Sequence, residues 1–214
     1  MRRLPIFVYL LMACLMPFAS SCSEKADDEI PPLVSGFFTA HSGKDGIIDY
    51  VIDDFGKRYE ITKSRNLAPN TITRVVCTLE LDDTDPLKEP RGRITSLLYP
   101  MSNEAPSDIQ LHDSLKTKDP VKIVSSYIGG GYLNVHLEIM VSKEDAYHSL
   151  NYCRRTSYPN PTFKIYHNAH GDSPVYTKKA YLSIPLSSAS KNDTICLKAY
   201  GADQKKYEIK HVYK

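Results

Sequence analysis

One stretch in the second half of the chain, residues 121–141, constrains the fold more than any other. From Leu133 to Val141 an apolar residue falls at every second position, which is the period of a strand with one buried face. Three consecutive glycines, Gly129 to Gly131, precede this strand and favour a turn with positive φ. Residues 121–128, before the glycines, have the composition of a second strand. The stretch therefore predicts a β-hairpin.

The rest of the chain also favours β-structure. It contains fifteen Tyr, six Phe and no Trp, and its 14 Pro and 10 Gly are spread along 214 residues. This composition is typical of many short strands joined by tight turns. Apolar segments separated by turn residues predict five strands between residues 33 and 99, and about seven between residues 121 and 213. We therefore expect an all-β protein.

Three segments carry a resemblance to a known family. They are Asp53-Asp54-Phe55-Gly56, residues 119–135 around the triple glycine, and residues 163–172, FKIYHNAHGD. Together they resemble the NigD-like lipoproteins of Bacteroidetes over nearly the whole mature chain. The resemblance implies a lipid-anchored protein with a small N-terminal oligonucleotide/oligosaccharide-binding (OB) type barrel and a C-terminal immunoglobulin-like β-sandwich. The family's biochemical role is not established, and its name comes from a bacteriocin gene cluster with a suggested immunity role.

Four segments follow from these patterns. We expect a lipoprotein signal peptide at residues 1–21, a lipidated acidic tether at 22–32, the OB-type barrel at 33–117 and the sandwich at 118–214. Pro120 marks the junction between the two domains, because a proline biases the preceding residue towards extended backbone. New strand pattern begins directly after it.

The N-terminus has the form of a secretory signal. Arg2 and Arg3 precede an apolar run that ends at Phe18, and Ala19-Ser20-Ser21-Cys22 resembles a lipobox. Cys14 lies in a second lipobox-like match, but cleavage there leaves too short an apolar run for export. The run is also shorter than the roughly 20 residues of a membrane span. We expect acyl chains on Cys22 to anchor the protein in the outer membrane, on its periplasmic or cell-surface face.

The charge balance narrows the class of partner. Removing Arg2 and Arg3 from 27 basic residues leaves 25, equal to the 25 acidic residues. A neutral mature chain without a basic tract lacks the electrostatic signature of a nucleic-acid binder. We therefore expect an envelope protein or glycan as the partner, no nucleic acid and no cofactor.

One cluster could carry chemistry. His167, His170 and Asp172 have the spacing His-x-x-His-x-Asp, and imidazole and carboxylate groups are common metal ligands. The same residues suit a strand end followed by a turn. No Gly-x-Ser-x-Gly, His-Glu-x-x-His or paired Cys-x-x-Cys motif occurs. The sequence therefore predicts a non-enzymatic binding or interaction module, with a metal-binding protein or metallohydrolase as the alternative.

Several polar and aromatic residues leave two interpretations open. In the barrel, four aromatic residues either stack on a ligand or fill the core and wall, and we favour the core and wall; they are Tyr50, Phe55, Tyr59 and Tyr99. We expect Cys77 to be a small buried apolar residue. In the sandwich, Asn134, His136 and Glu138 share one strand face, which either marks a polar site or faces solvent, and we favour solvent.

Two kinds of covalent modification are also predicted or left open. Asp193-Thr194-Ile195 and Asp113-Ser114-Leu115 resemble the acceptor of the Bacteroidetes envelope O-glycosylation system, so Thr194 and Ser114 are candidate glycosylation sites. Cys153 and Cys196 could form a disulfide outside the cytoplasm. Alternation places Cys196 on the outer face of its sheet, where a bridge would need a direct neighbour.

Overall fold

A computed structural model describes residues 31–63, 66–82, 88–101, 119–155, 158–202 and 205–214. Within these ranges the chain forms twelve β-strands and no helix, which confirms the predicted all-β class. The predicted signal peptide, Cys22, Ser114 and the boundary between residues 117 and 118 lie outside the described residues. Residues 31–214 form one compact unit.

The first five strands close into a barrel. They are β1 (Leu33–Ser42), β2 (Ile48–Asp53), β3 (Arg58–Lys63), β4 (Ile72–Leu81) and β5 (Arg91–Leu98), and their order around the barrel is β1-β2-β3-β5-β4. The β3–β5 pair is parallel and the other pairs are antiparallel. A closed five-stranded barrel of this order is the OB architecture, so the predicted barrel is confirmed.

Alternate residues of the barrel strands fill its core. Phe38, Val75 and Leu79 point inward and are buried. Cys77 and Tyr59 belong to the same core, which confirms the predicted interpretation of both. Burial raises the pKa of the Cys77 thiol to about 12, so it stays protonated and unreactive at neutral pH.

The last seven strands form two sheets packed face to face. They are β6 (Lys122–Gly129), β7 (Tyr132–Val141), β8 (Ser149–Arg155), β9 (Thr162–Asn168), β10 (Tyr176–Pro185), β11 (Thr194–Tyr200) and β12 (Lys206–Val212). One sheet has the order β10-β7-β6 and the other β12-β11-β9-β8. Their facing apolar residues make one core, as the predicted sandwich requires.

The predicted hairpin joins β6 to β7. Gly130 and Gly131 have φ values of +59° and +82°, the positive range that the glycines were expected to supply. From Leu133 to Val141 every second side chain is buried in the sandwich core. Sequence alternation therefore identified both the strand and its inner face.

The prediction for the outer face of β7 is wrong for Asn134 and His136, whereas Glu138 is partly exposed and pairs with Lys122 at 2.8 Å. Asn134 is fully buried and His136 is half-buried, whereas we expected both to face solvent. The barrel covers this face, because Phe37 points out of β1 and packs edge-on against Tyr127 and Tyr181, with ring centroids 6.2 and 5.9 Å away. The polar face is therefore part of the contact between barrel and sandwich.

A polar cluster lies in this contact, with the side chains of its ion pair buried and Tyr127 at its exposed edge. We name it the junction network: Asp54, Arg74, Tyr127, Asn134 and Ser183. The Arg74 guanidinium forms an ion pair with Asp54 and donates to Asn134 Oδ1 at 3.0 Å and to Ser183 Oγ at 3.2 Å. The Asp54 carboxylate also accepts from Tyr127 at 2.6 Å and from Asn134 at 2.9 Å. The side chains of the ion pair are only 7% and 2% exposed.

Two turns meet beside this network. The Gly130 N–H donates to the Asp54 carbonyl oxygen at 3.2 Å, which joins the β6–β7 turn to the β2–β3 turn. A Cβ atom on Gly129 or Gly130 would lie 2.7 or 2.6 Å from an Asp54 side-chain atom. The triple glycine therefore does more than close a hairpin, because it also lets the barrel approach the sandwich.

The two candidate disulfide partners do not form a disulfide. Cys153 lies on β8 and Cys196 on β11, with β9 between these two strands. Cys196 does lie on the face opposite Ile195 and Leu197, as alternation predicted, but it is only 5% exposed. The two cysteines are thus not direct neighbours in the sheet, and the bridge that the sequence left open is not formed.

Candidate functional site: the loop end of the sandwich

Two loops meet at one end of the sandwich: the β7–β8 loop, residues 142–148, and the β9–β10 loop, residues 169–175. Asp172 joins them, because its carboxylate accepts from the Ser142 N–H at 2.8 Å, from the Ser142 hydroxyl and from His148 Nε2 at 2.9 Å. These hydrogen bonds hold the pKa of Asp172 well below its usual range. The carboxylate is therefore ionised at neutral pH.

The chain of contacts continues into the sandwich. His148 Nδ1 lies 2.9 Å from His167 Nε2, and His167 Nδ1 lies 3.0 Å from the Pro120 carbonyl oxygen. Both imidazoles are buried. Beside them, the Asp119 carboxylate accepts from the Ala169 N–H at 2.7 Å and fixes the start of the second loop. Asp172, His148, His167 and the Pro120 carbonyl thus form one line, which we name the histidine chain.

The partners in the histidine chain fix where its hydrogens lie. A carbonyl oxygen only accepts, so His167 Nδ1 carries a hydrogen. Burial lowers the pKa of His167, so the ring is neutral and its Nε2 accepts. His148 must then donate from Nδ1 to His167 and from Nε2 to the Asp172 carboxylate. The geometry therefore requires three hydrogens in these three contacts, and with His167 neutral the shared one lies on His148, so the pair of rings carries one positive charge beside Asp172.

The same contacts limit the chemistry of this site. The Ser142 hydroxyl donates to a carboxylate and not to an imidazole, so it lacks the neighbouring base that activates a serine nucleophile. His148 Nδ1 and His167 Nε2 share one hydrogen and leave no lone pair for a metal ion. In the parts of the chain that the structure describes, no three His, Cys, Asp or Glu side chains are placed to hold one.

The predicted trio of His167, His170 and Asp172 is not brought together. His170 has a φ of +51° and turns outward, where its ring packs at 4.7 Å from Tyr147 and its Nε2 lies 3.1 Å from Ser149 Oγ. The positive φ is the turn conformation that the alternative interpretation expected. Local spacing suggested the wrong third residue, because the actual partner of His167 and Asp172 is His148.

Sequence reasoning missed His148 and Ser142. Both lie on a loop more than 18 residues before their partners, and only the pairing of β8 with β9 brings them close. A weak signal existed, since His148 lies within one predicted strand, residues 145–152, and His167 ends the next, residues 163–167. Which strands pair cannot be read from that spacing.

The two loops expose apolar and aromatic side chains outside the histidine chain. Tyr147 is 71% exposed, Val175 67% and Tyr176 40%, and His170 is exposed beside Tyr147. We name these four residues the loop-end surface. Beneath it, the Val175 N–H donates to the Val141 carbonyl oxygen at 3.2 Å. The apolar groups are therefore presented on backbone that the histidine chain holds in place.

The aromatic residues of the barrel do not form a comparable binding surface. Tyr50 lies between two neighbours, with the His41 ring centroid 4.4 Å away and the Arg58 guanidinium 3.7 Å from its own centroid. These neighbours come from β1 and β3, on either side of β2, so both ring faces are covered. Phe55 and Tyr99 are 92% and 59% exposed, contrary to the core or wall position expected for them. They are single exposed residues without an aromatic partner among the ring contacts of the described chain.

A cavity of about 420 Å³ lies between β6 and β12. It is lined mainly by apolar groups, including Val121, Ile123 and Ile209. Its two charged residues already have partners, since Lys122 pairs with Glu138 at 2.8 Å and Glu208 with Lys198 at 3.1 Å. It therefore lacks free convergent polar groups that would orient a ligand.

Of the predicted modification sites, only Thr194 can be located. It is the first residue of β11, pairs with Val212 and is half-buried. The preceding Asp193 accepts from the Ser190 N–H at 2.8 Å in a surface turn. Glycosylation of Thr194 and of Ser114 stays a prediction.

A family model decides the relationship. The model of the NigD-like C-terminal β-sandwich domain matches residues 103–211, just over half of the chain. The chain belongs to the NigD-like family. The matched region includes the histidine chain and the loop-end surface. Among curated proteins, none matches.

Solved structures agree with this NigD-like assignment. A NigD-like immunity protein from Bacteroides caccae ATCC 43185 is 26% identical, with a TM-score of 0.71, and the match covers 86% of this chain and 99% of that one. A candidate lipoprotein from Bacteroides fragilis NCTC 9343 is 10% identical, with a TM-score of 0.65 over 86% of this chain and 99% of that one. A candidate toxin-related protein from Parabacteroides distasonis ATCC 8503 is 18% identical, with a TM-score of 0.67 over 86% and 95%. At such low identity the last two show the fold alone.

Proposed function

We propose that this NigD-like chain is a non-enzymatic, lipid-anchored protein of the cell envelope that binds a protein or glycan partner through the loop-end surface. The observation that carries the proposal is that Tyr147 and Val175 are exposed on loops held by the half-buried Asp172 carboxylate, which binds Ser142 and the buried His148. Apolar groups on exposed loops are typical of interaction sites. Loops that are already fixed lose less conformational entropy when a partner binds.

The side chains of this surface suit recognition. Tyrosine offers a large contact area with only two side-chain torsions to immobilise, and its ring can pack on apolar groups or on the face of a sugar. Tyr147 already rests against His170, which restricts its ring before any partner arrives. The histidine chain offers neither an activated nucleophile nor an imidazole lone pair left for a ligand, so binding is the activity that the geometry supports.

The loop-end surface is testable by capture from solubilised envelope. The tagged full chain is expected to retain a partner, and replacing both Tyr147 and Val175 with serine is expected to reduce retention roughly tenfold or more, as loss of a central aromatic contact does. Phe55→Ser is the matched control, because Phe55 is the most exposed large apolar residue and lies on the barrel. Equal retention by the double variant and the unmodified chain would reject this surface.

The proposed anchor rests on the lipobox-like sequence before Cys22. In the described ranges, no helix has the length and apolar character needed to cross a membrane. With labelled fatty acid in the growth medium, we expect Cys22→Ala to lose the label and to leave the outer-membrane fraction. Cys14→Ala should keep both, and loss of the label in that variant instead would move the anchor to Cys14.

A narrower role in bacteriocin immunity follows from the similarity to the Bacteroides caccae protein. It requires that expression of this chain protects a sensitive strain from a bacteriocin. The Tyr147→Ser and Val175→Ser double variant should then lose protection. Unprotected cells at full expression of the unmodified chain would reject the immunity role and leave the binding proposal to the capture experiment.

A further inference from the structure

We propose that the histidine chain is a proton-controlled lock on the two loops, closed only while the His148 and His167 rings together carry three hydrogens. The lock is a property of the sandwich itself, and it rests on the proposed function only where it concerns partner binding. Three hydrogen bonds in a row connect the Asp172 carboxylate to the Pro120 carbonyl oxygen through two buried rings. Groups that only accept stand at both ends, so the number of hydrogens between them is fixed.

Loss of one proton breaks this line at a definite place. If His148 gives up its Nε2 hydrogen, a ring lone pair faces the Asp172 carboxylate across 2.9 Å. If it gives up its Nδ1 hydrogen, its lone pair faces that of His167 Nε2 across the same distance. His167 cannot compensate by moving its own hydrogen, because the Pro120 carbonyl opposite Nδ1 has none to donate. Every neutral arrangement therefore leaves two acceptors in contact.

Gain of one proton is equally unfavourable. A hydrogen added to His167 Nε2 meets the hydrogen on His148 Nδ1, and it places two imidazolium rings side by side with centroids 5.1 Å apart. Burial also lowers the pKa of His167, so it too opposes the added proton. Below the ordinary histidine value of 6.5 the unfolded chain binds this proton and the folded chain resists it, so stability is lost as the pH falls.

The surroundings supply charges of both signs. Asp172 faces His148 directly, and the Asp119 carboxylate lies beside His167. His148 also lines a cavity of about 170 Å³ with Lys178, Lys179 and Tyr99, through which water can exchange protons with the ring. The Lys178 ammonium is bound to the Glu144 carbonyl oxygen. The charge in direct contact with the ring is therefore the Asp172 carboxylate, 2.9 Å from His148 Nε2.

Opening the lock frees the part of the loops that carries the loop-end surface. Breaking the contact between His148 and Asp172 releases one of the three bonds that the Asp172 carboxylate makes to the β7–β8 loop. Tyr147 is the neighbour of His148 in the chain, and Val175 lies three residues after Asp172. A change in the protonation of one buried ring would thus loosen both sides of the surface.

Nitrogen NMR of the full chain in detergent tests the proton assignment directly, since imidazole nitrogens with and without hydrogen resonate differently. At neutral pH we expect both His148 nitrogens to be protonated and His167 to carry its hydrogen on Nδ1. Amide exchange then tests the lock. The protection factor of the Ser142 amide should be highest near neutral pH. It should fall roughly tenfold or more when the pH is raised or lowered from there, as loss of a bond to a charged group implies.

Two variants separate the lock from general unfolding. Asp172→Asn keeps an accepting oxygen but removes the charge, so the alkaline midpoint for Ser142 should fall by about one to three pH units. His148→Gln should abolish the fall in Ser142 protection at alkaline pH. His170→Gln is the control, because it removes an exposed histidine from the same end of the sandwich. It should leave the fall in Ser142 protection unchanged at both alkaline and acid pH. The Leu137 amide, in the sandwich core, reports global opening and should stay protected throughout.

Two results would overturn the lock: only two ring hydrogens on His148 and His167 together at neutral pH in the folded chain, or a fall in Ser142 protection at alkaline pH that is unchanged in His148→Gln. Burial also lowers the pKa of His211, so this residue lowers stability at acid pH as well. Repeating the exchange measurement at acid pH in His211→Gln removes that contribution. Partner capture at the same pH values separates this inference from the proposed function. Capture that fails at every pH while the NMR results hold rejects the binding role and leaves the lock intact.

Discussion

Replacing Arg74 with methionine is expected to lower the free energy of unfolding by about 3–5 kcal/mol, because it leaves the buried Asp54 carboxylate without its countercharge. The Arg74 guanidinium also donates to Asn134, Ser183 and Thr39, so the substitution removes partners from both the barrel and the sandwich. Urea unfolding of the full chain, followed at neutral pH, measures the change. Methionine keeps most of the apolar volume, so the loss reports the charge and not a cavity.

Arg93→Met is the matched control. Arg93 also lies on a barrel strand and binds a carboxylate through two contacts, at 2.7 and 2.9 Å from Glu80, but its side chain is 52% exposed. Water screens that pair, and its loss should cost no more than about 1 kcal/mol. Similar losses for Arg74→Met and Arg93→Met would contradict a buried ion pair in the junction network. A double replacement of Asp54 and Arg74 by apolar residues should recover much of the single-variant loss, because no unpaired charge remains.

The junction network also shows where sequence reasoning stops. Alternation is local, so it identified β7 and the inner face of Leu133, Val135 and Leu137 without knowledge of any other strand. Whether the opposite face meets water depends on the barrel, whose Arg74 lies 60 positions before Asn134 and 109 before Ser183. No pattern within one strand carries that information, and the outer face was therefore assigned to solvent.

The prediction of the candidate site was incomplete for a similar reason. His167 and Asp172 were correctly singled out as a polar cluster, but sequence spacing supplied His170 as the third member. A turn reverses the chain at Gly171, and the positive φ of His170 directs its ring towards Tyr147. His148 enters the cluster through the pairing of two strands, which is tertiary information. Sequence therefore located the segment that carries the site and missed the partner that determines its protonation.

Replacing Gly130 with alanine is expected to lower the free energy of unfolding by about 2–5 kcal/mol. Two costs add: an L-residue with a φ of +59°, roughly 1–2 kcal/mol, and a Cβ forced against the Asp54 Oδ1 atom at 2.6 Å, roughly 1–3 kcal/mol. Asp54 cannot move away freely, because Arg74, Tyr127 and Asn134 hold its carboxylate. The turn therefore transmits the clash into the junction network.

The neighbouring glycines separate these two costs under the same urea unfolding measurement. Gly131 has a φ of +82°, and no atom lies within 4 Å of the place that a Cβ would occupy, so Gly131→Ala should show the backbone cost alone. Gly129 lacks the positive φ, but its Cβ would lie 2.7 Å from the Asp54 Cβ, so Gly129→Ala should show the steric cost alone. Gly130→Ala should lose about as much as these two variants combined. A loss no larger than that of Gly131→Ala would mean that the β6–β7 turn serves only the hairpin, and that the barrel and sandwich do not depend on its close approach to Asp54.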